Sequence, residues 1–230
     1  MHAAAFRLAA LAVVAFGVAF GYVEAAVVVD LRAALGVPPE PTFPLALVSG
    51  SGTDLVVIER GRELATLVML AGVGWVTGRS RLERLAWTAV AFGAWDIAYY
   101  GWLWLFVGWP PTPGAWDILF LVPVPWVGPV WAPIAVSLAL VGFGLAAVHR
   151  LRAGGKLRIA PGHLVAGIAG GLLVAGSFTL HGPRVATGEA APEWAWPLFA
   201  AGMGIAVADA LHALAGREYP RVESGSTEVA

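Results

Sequence analysis

Residues 8–29 read LAALAVVAFGVAFGYVEAAVVV, 22 residues with one charge, Glu24. At 1.5 Å per helical residue the run extends about 33 Å, and a bilayer's hydrocarbon core is about 30 Å thick and takes some 20 apolar residues to cross. The stretch therefore predicts a membrane helix. It is longer than the roughly 7–15-residue apolar core of a secretory signal, so it reads as an uncleaved first span.

Five further segments meet the same test: 54–77, 82–107, 130–149, 161–181 and 194–215. Ser51 or Thr53 is placed to cap the second. The expectation is an all-α integral membrane bundle of about six transmembrane helices. It forms one domain over 1–215, with a polar, disordered cytoplasmic tail over 216–230. Composition agrees, since 59% of the 230 residues are hydrophobic and 13% charged, against about a quarter charged in soluble domains. With no cysteine, disulfides, thiolate nucleophiles, iron–sulfur clusters and Cys-type zinc sites are excluded. A net charge of −1 leaves no electrostatic footprint for nucleic acid.

Between the third and fourth spans, Pro110 to Pro133 is apolar but carries seven prolines in 24 residues. Proline at that density forbids a continuous helix. The segment predicts a short helix or a re-entrant or interfacial stretch dipping into the membrane edge, where other protein or trapped water must satisfy its backbone. Basic residues set orientation. Arg7, Arg79, Arg81, Arg84, Arg150, Arg152, Lys156, Arg158, Arg217 and Arg221 fall on one side. Arg32, Arg60, Arg62 and Arg184 fall on the other, where the Pro-rich link has no Lys or Arg. Both termini are thus expected in the cytoplasm, in a bacterial inner (plasma) membrane.

A charge at the centre of a span costs roughly 2.5–3.5 kcal/mol, so intramembrane charges need a reason. Glu24, Glu59, Glu63, Asp96 and Asp117 come from four segments and share the outer half of the membrane, with His181 closing the fifth span at similar depth. These carboxylates are the candidate catalytic residues. Glu59 and Glu63, four apart, share a helix face, and their repulsion needs a cation, a proton or a basic neighbour to relieve it. Arg60, adjacent to Glu59 but turned about 100° away, is expected to reach a carboxylate on another helix, with Tyr99 and Tyr100 as hydrogen-bond donors. Three readings compete. Glu59, Glu63, Asp96 and His181 would hold a divalent metal cation, which activates water for a hydrolase or transferase acting on a lipid or lipid-linked substrate. The same carboxylates would line the path of a small ion- or proton-coupled transporter. Or they form ion pairs with Arg60 and Arg62 in a structural or assembly protein. Substrate, enzyme status and oligomeric state are left open by the sequence.

Other features have plainer readings. Gly17/Gly21 and Gly167/Gly171 predict close helix packing. Ser137 and Ser177 are expected to bond their own helix backbone. Asp209 and His212, three apart, predict a local pair near the cytoplasmic interface, and His149 and His163 are expected to face solvent or headgroups. Most of the tryptophans fall near the outer interface, as an aromatic belt does. The echo of Ala94-Trp95-Asp96-Ile97 in Ala115-Trp116-Asp117-Ile118 hints at a shared role.

The stretches Gly21–Val29, Ile58-Glu59-Arg60, Glu63–Leu70, Trp95–Tyr100 and Trp116–Val130 resemble a group of uncharacterised bacterial polytopic membrane proteins. The resemblance covers roughly the first 140 residues. It implies a membrane fold and lends no activity.

Overall fold

The computed structural model describes residues 2–34, 53–157, 159–182, 184 and 193–215. Six long helices and one hairpin are found among them: α1 (His2–Ala34), α2 (Thr53–Thr77), α3 (Arg81–Val107), β1 (Trp116–Phe120), β2 (Trp126–Pro129), α4 (Trp131–Arg152), α5 (Pro161–Thr179) and α6 (Trp196–Ala215). The candidate cap Ser51 and the tail over 216–230 lie outside the described residues. Five of the helices, α1, α3, α4, α5 and α6, are long and apolar enough to cross a membrane. The sixth, α2, is 25 residues long, but every 18-residue window within it includes Arg60, Arg62 and Glu63. Its polarity sits in its first half, where the site is.

Helix α3 is the hub. Helices α1, α2 and α4 each pack along it, while α5 and α6 form a separate pair joined to the rest through β2 and α4. The α1–α3 contact follows from the Gly17/Gly21 spacing. A Cβ on Gly17 would lie 2.9 Å from the Trp95 backbone nitrogen, and one on Gly21 would lie 2.9 Å from both the Trp95 oxygen and the Tyr99 nitrogen. The two backbones meet because nothing stands between them. The second glycine spacing works differently. Gly171 has nothing within 4 Å, and it is Gly170 that meets Gly202 across the α5–α6 interface, 2.9 Å from its carbonyl oxygen.

At the start of α3, the Ser80 hydroxyl caps the helix by accepting from the Glu83 N–H at 3.2 Å. At its end, Gly108 takes a left-handed conformation (φ 66°) and its N–H reaches the Trp104 carbonyl. Such a C-terminal cap favours glycine because it has no Cβ to clash. An apolar cluster of Val13, Leu70, Trp87, Val90, Ala91 and Val148 fills the bundle toward the end that carries the α2–α3 turn.

The Pro-rich segment is not a short helix. It forms a two-stranded antiparallel hairpin in which Trp116 pairs with Pro129, Asp117 with Gly128 and Ile118 with Val127, with an irregularity before Phe120–Trp126. The prolines forbid helix, while Trp, Ile, Phe and Val suit a pleated strand. The long elements are all helical, as expected, and the hairpin is the one pair of strands among the described residues. The hairpin's exposed backbone is taken up by neighbours, as when the Leu121 N–H donates to Glu63 of α2.

Candidate functional site

A cavity of about 90 Å³ lies at the hairpin end of the bundle, between α1, α2, α3 and β1. A single water needs roughly 10–15 Å³ on the same measure, so the space takes several waters or a small chemical group. All five candidate carboxylates line it: Glu24 from α1, Glu59 and Glu63 from α2, Asp96 from α3 and Asp117 from β1. Tyr99 and Tyr100 line it too, with Trp95, Thr66, Arg32 and Arg62.

Sequence geometry explains the convergence. Glu59, Arg62, Glu63 and Thr66 recur at three- and four-residue steps, which puts them on one face of α2. Glu24, Val28 and Leu31 do the same on α1. The close approach at Gly17 and Gly21 sets that face of α1 against the stretch of α3 that carries Asp96.

Each carboxylate has a donor. Arg62 bridges two of them, reaching Glu59 with Nε at 3.0 Å and Nη2 at 2.5 Å and pairing through Nη1 with Glu24. Glu24 also accepts from the Thr66 hydroxyl at 2.6 Å. The other three take hydrogen bonds from neutral donors. Glu63 accepts from the Leu121 N–H at 2.8 Å, Asp96 from the Ser137 hydroxyl at 2.7 Å, and Asp117 from the Tyr100 hydroxyl at 3.1 Å.

Five carboxylates against two guanidiniums leave the cavity with an excess of acidic groups. Asp117 lies outside the long helices. Burial pushes its pKa up to about 6, although the Tyr100 hydrogen bond and the Arg32 charge pull the other way. Exposure is graded. Side chains are 26% exposed at Arg62 and 20% at Glu59, while Glu24, Glu63, Asp96 and Asp117 are buried. The mouth is therefore at Arg62 and Glu59, with Asp96 and Asp117 deeper.

Two expected members fall elsewhere. Arg60 is exposed, and Arg62 takes the role expected of it. His181 is half-buried and does not line the cavity. Among the described residues, no three His, Asp or Glu side chains converge to hold a metal ion.

The site also includes residues that sequence reasoning passed over. Ser137 bonds Asp96 rather than its own helix, whereas Ser177 does bond its own backbone at Val174. Arg32 is buried with its guanidinium 5.4 Å from the centre of the Trp109 ring. Its signal was the eight-residue step from Glu24, two turns along one face.

At the opposite end, Asp209 bonds His163 of α5 at 2.5 Å, where a local pair with His212 was expected. His212 lies beside the same imidazole, with ring centres 5.2 Å apart. His149 sets its ring edge-on to Phe6. None of these residues lines the cavity.

No family model, no curated protein and no solved structure matches the chain.

Proposed function

We propose that the chain is a six-span inner-membrane protein, with both termini in the cytoplasm, whose carboxylate cavity is entered from the outer half of the membrane and binds a positively charged small molecule or headgroup. One observation carries the reading. Five carboxylates and only two guanidiniums line a partly apolar cavity, and such an arrangement gains most from an added cation. The aromatic faces of Trp95, Tyr99 and Tyr100 suit the same guest through cation–π attraction.

A purely structural ion-pair network accounts for the donors on each carboxylate but leaves the cavity without a purpose. A through-going transport path is disfavoured by the apolar floor. The lining reaches no further than Glu24, Thr66 and Trp95 toward the α2–α3 turn, and Val13, Leu70 and Trp87 pack beyond them. Asp209 and His212 stand apart. The site thus reads as receptive from one side, as for a hydrolase or transferase acting on a lipid or lipid-linked substrate. Glu59 at the mouth is the carboxylate placed to take a proton from water or from a bound ammonium group.

The test is calorimetric titration of the purified protein at pH 7 with n-butylammonium, against n-butanol as its uncharged counterpart. Selective binding of the ammonium, weakened about tenfold or more by Glu63→Gln and by Asp96→Asn, is expected. Equal response to the two compounds would overturn the reading.

A further inference from the structure

The surroundings of the mouth say which cation-bearing molecule fits. Helices α1 and α2 both pack on α3 yet hardly pack on each other. At cavity depth the seam between them is crossed by side chains, Arg62 and Thr66 of α2 reaching Glu24 of α1. The residues beside this crossing are apolar and exposed. Ile58, four residues before Arg62 and so on its face, is 65% exposed. On α1, Val23 and Val27 flank Glu24 and are also exposed. A charged opening bordered on both helices by exposed Val and Ile faces hydrocarbon rather than bulk water.

A second, independent observation concerns Trp95. It lines the cavity and is more than nine-tenths buried. Its indole N–H finds no acceptor among the described residues. An indole nitrogen only donates, and a buried donor left unpaired is costly. A simple cation offers it nothing. A guest that carries an oxygen acceptor close to its cationic nitrogen satisfies the indole and the carboxylates together, and its acceptor also suits the Arg62 guanidinium at the mouth.

Resting on the cation-binding reading above, we infer that the guest is an outer-leaflet lipid with a zwitterionic amine–phosphate headgroup, entering sideways through the α1–α2 seam. Its ammonium group lies among Glu63, Asp96 and Asp117, its phosphate oxygens take the Trp95 N–H and Arg62, and its acyl chains stay in the bilayer along Val23, Val27 and Ile58. No covalent step is part of the inference.

The experiment is native mass spectrometry of the full chain released from nanodiscs holding equal amounts of phosphatidylethanolamine and phosphatidylglycerol with identical acyl chains. Calorimetric titration with water-soluble phosphoethanolamine and with n-butylammonium runs in parallel. The wild-type protein is expected to retain the zwitterionic lipid at least tenfold over the anionic one, and to bind soluble phosphoethanolamine at least tenfold more weakly than the lipid. Trp95→Phe keeps the ring and removes the donor. It is expected to reduce lipid retention about fivefold more than it reduces n-butylammonium affinity, the equivalent of one hydrogen bond of roughly 1 kcal/mol, while the smaller ring lowers the melting temperature by a few degrees without unfolding the protein.

Equal retention of the two lipids overturns the inference, as does a Trp95→Phe protein that retains lipid like wild type. Soluble phosphoethanolamine binding as tightly as the lipid overturns the sideways entry and the lipid as guest. If n-butylammonium binds selectively while no lipid preference exists, the lipid inference alone fails. If neither binds, the cation-binding reading fails with it.

Discussion

Arg62 shows how a single side chain organises the mouth. Its guanidinium spans Glu59 on its own helix and Glu24 on α1, so removing it leaves two carboxylates facing each other without their shared partner. Breaking a buried ion pair costs about 3–5 kcal/mol. Arg62 is a quarter exposed, so water relieves part of that cost, and Arg62→Ala is expected to destabilise the protein by about 1–3 kcal/mol. Arg60→Ala, at an exposed position, is expected to change stability by less than about 0.5 kcal/mol. Melting temperatures of the two variants in one detergent check this, and equal losses would place the bridge elsewhere. The sequence contained the means to choose between the two arginines. Arg62 stands three residues from Glu59, on its face, whereas Arg60 is turned about 100° away.

Asp117 adds a pH dependence whose sign follows from its burial. Its folded-state pKa of about 6 lies above the ordinary 3.8. The protonated form is therefore favoured in the folded protein, and the stabilisation it brings is complete below about pH 4 and lost as pH rises through 6. The charge available to a cation runs the opposite way. Affinity for n-butylammonium is expected to rise between pH 5 and 7, and Asp117→Asn to reduce that rise. A wild-type profile that stays level between pH 5 and 7 would remove Asp117 from the binding charge.

At the scale of elements, the glycines of α1 decide where Glu24 points. Gly17 and Gly21 let α1 lie against the backbone of α3 around Trp95 and Tyr99, and two turns is all the distance between Gly17 and Glu24. Gly21→Val is expected to push α1 outward and cost about 1–3 kcal/mol through overpacking, while also weakening n-butylammonium binding. Gly171→Ala, facing open space, is expected to leave both unchanged. Thermal melting together with titration of both variants separates packing from binding. The spacing that predicted these contacts was legible at Gly17/Gly21 and misleading at Gly167/Gly171, because a pattern of small residues marks a face without saying which member touches the neighbour. The hairpin was legible only as an exclusion. Seven prolines ruled out a helix, but the pairing of Trp116–Phe120 with Trp126–Pro129 depends on contacts with α2 and α5, such as Glu63 with Leu121 and Phe178 against Gly128, that lie far away in sequence. The echo between Asp96 and Asp117 is likewise no structural repeat. One residue sits on a helix and the other on a strand, and the cavity alone brings them together.

At the scale of the whole molecule the two ends differ in charge, and this is the basis of the proposed orientation. The α2–α3 turn and the α4–α5 link lie at the same end, tied by Arg152 of α4, which reaches Glu83 at 3.4 Å and the Thr77 carbonyl at 3.5 Å and lies over the Trp87 ring. These two connections hold Arg79, Arg81, Arg84, Arg150, Arg152 and Lys156. The hairpin at the other end, from Pro110 to Pro133, has no Lys or Arg. Short loops rich in Lys and Arg stay in the cytoplasm, and the proposed orientation, with the hairpin and the mouth of the cavity on the outer side, rests on that rule. Because the chain has no cysteine, a single introduced thiol reports its own location. Thr112 in the hairpin segment and Ala153 in the α4–α5 link are both exposed, so replacing either disturbs little. In intact spheroplasts, the Thr112→Cys protein is expected to react with a membrane-impermeant maleimide. The Ala153→Cys protein is expected to react only after the membrane is opened. The reverse pattern would turn the molecule over and place the acidic cavity in the inner leaflet. Labelling of both thiols in intact spheroplasts would mean that the two ends do not lie on opposite sides of a membrane, and the six-span arrangement would fall with the orientation.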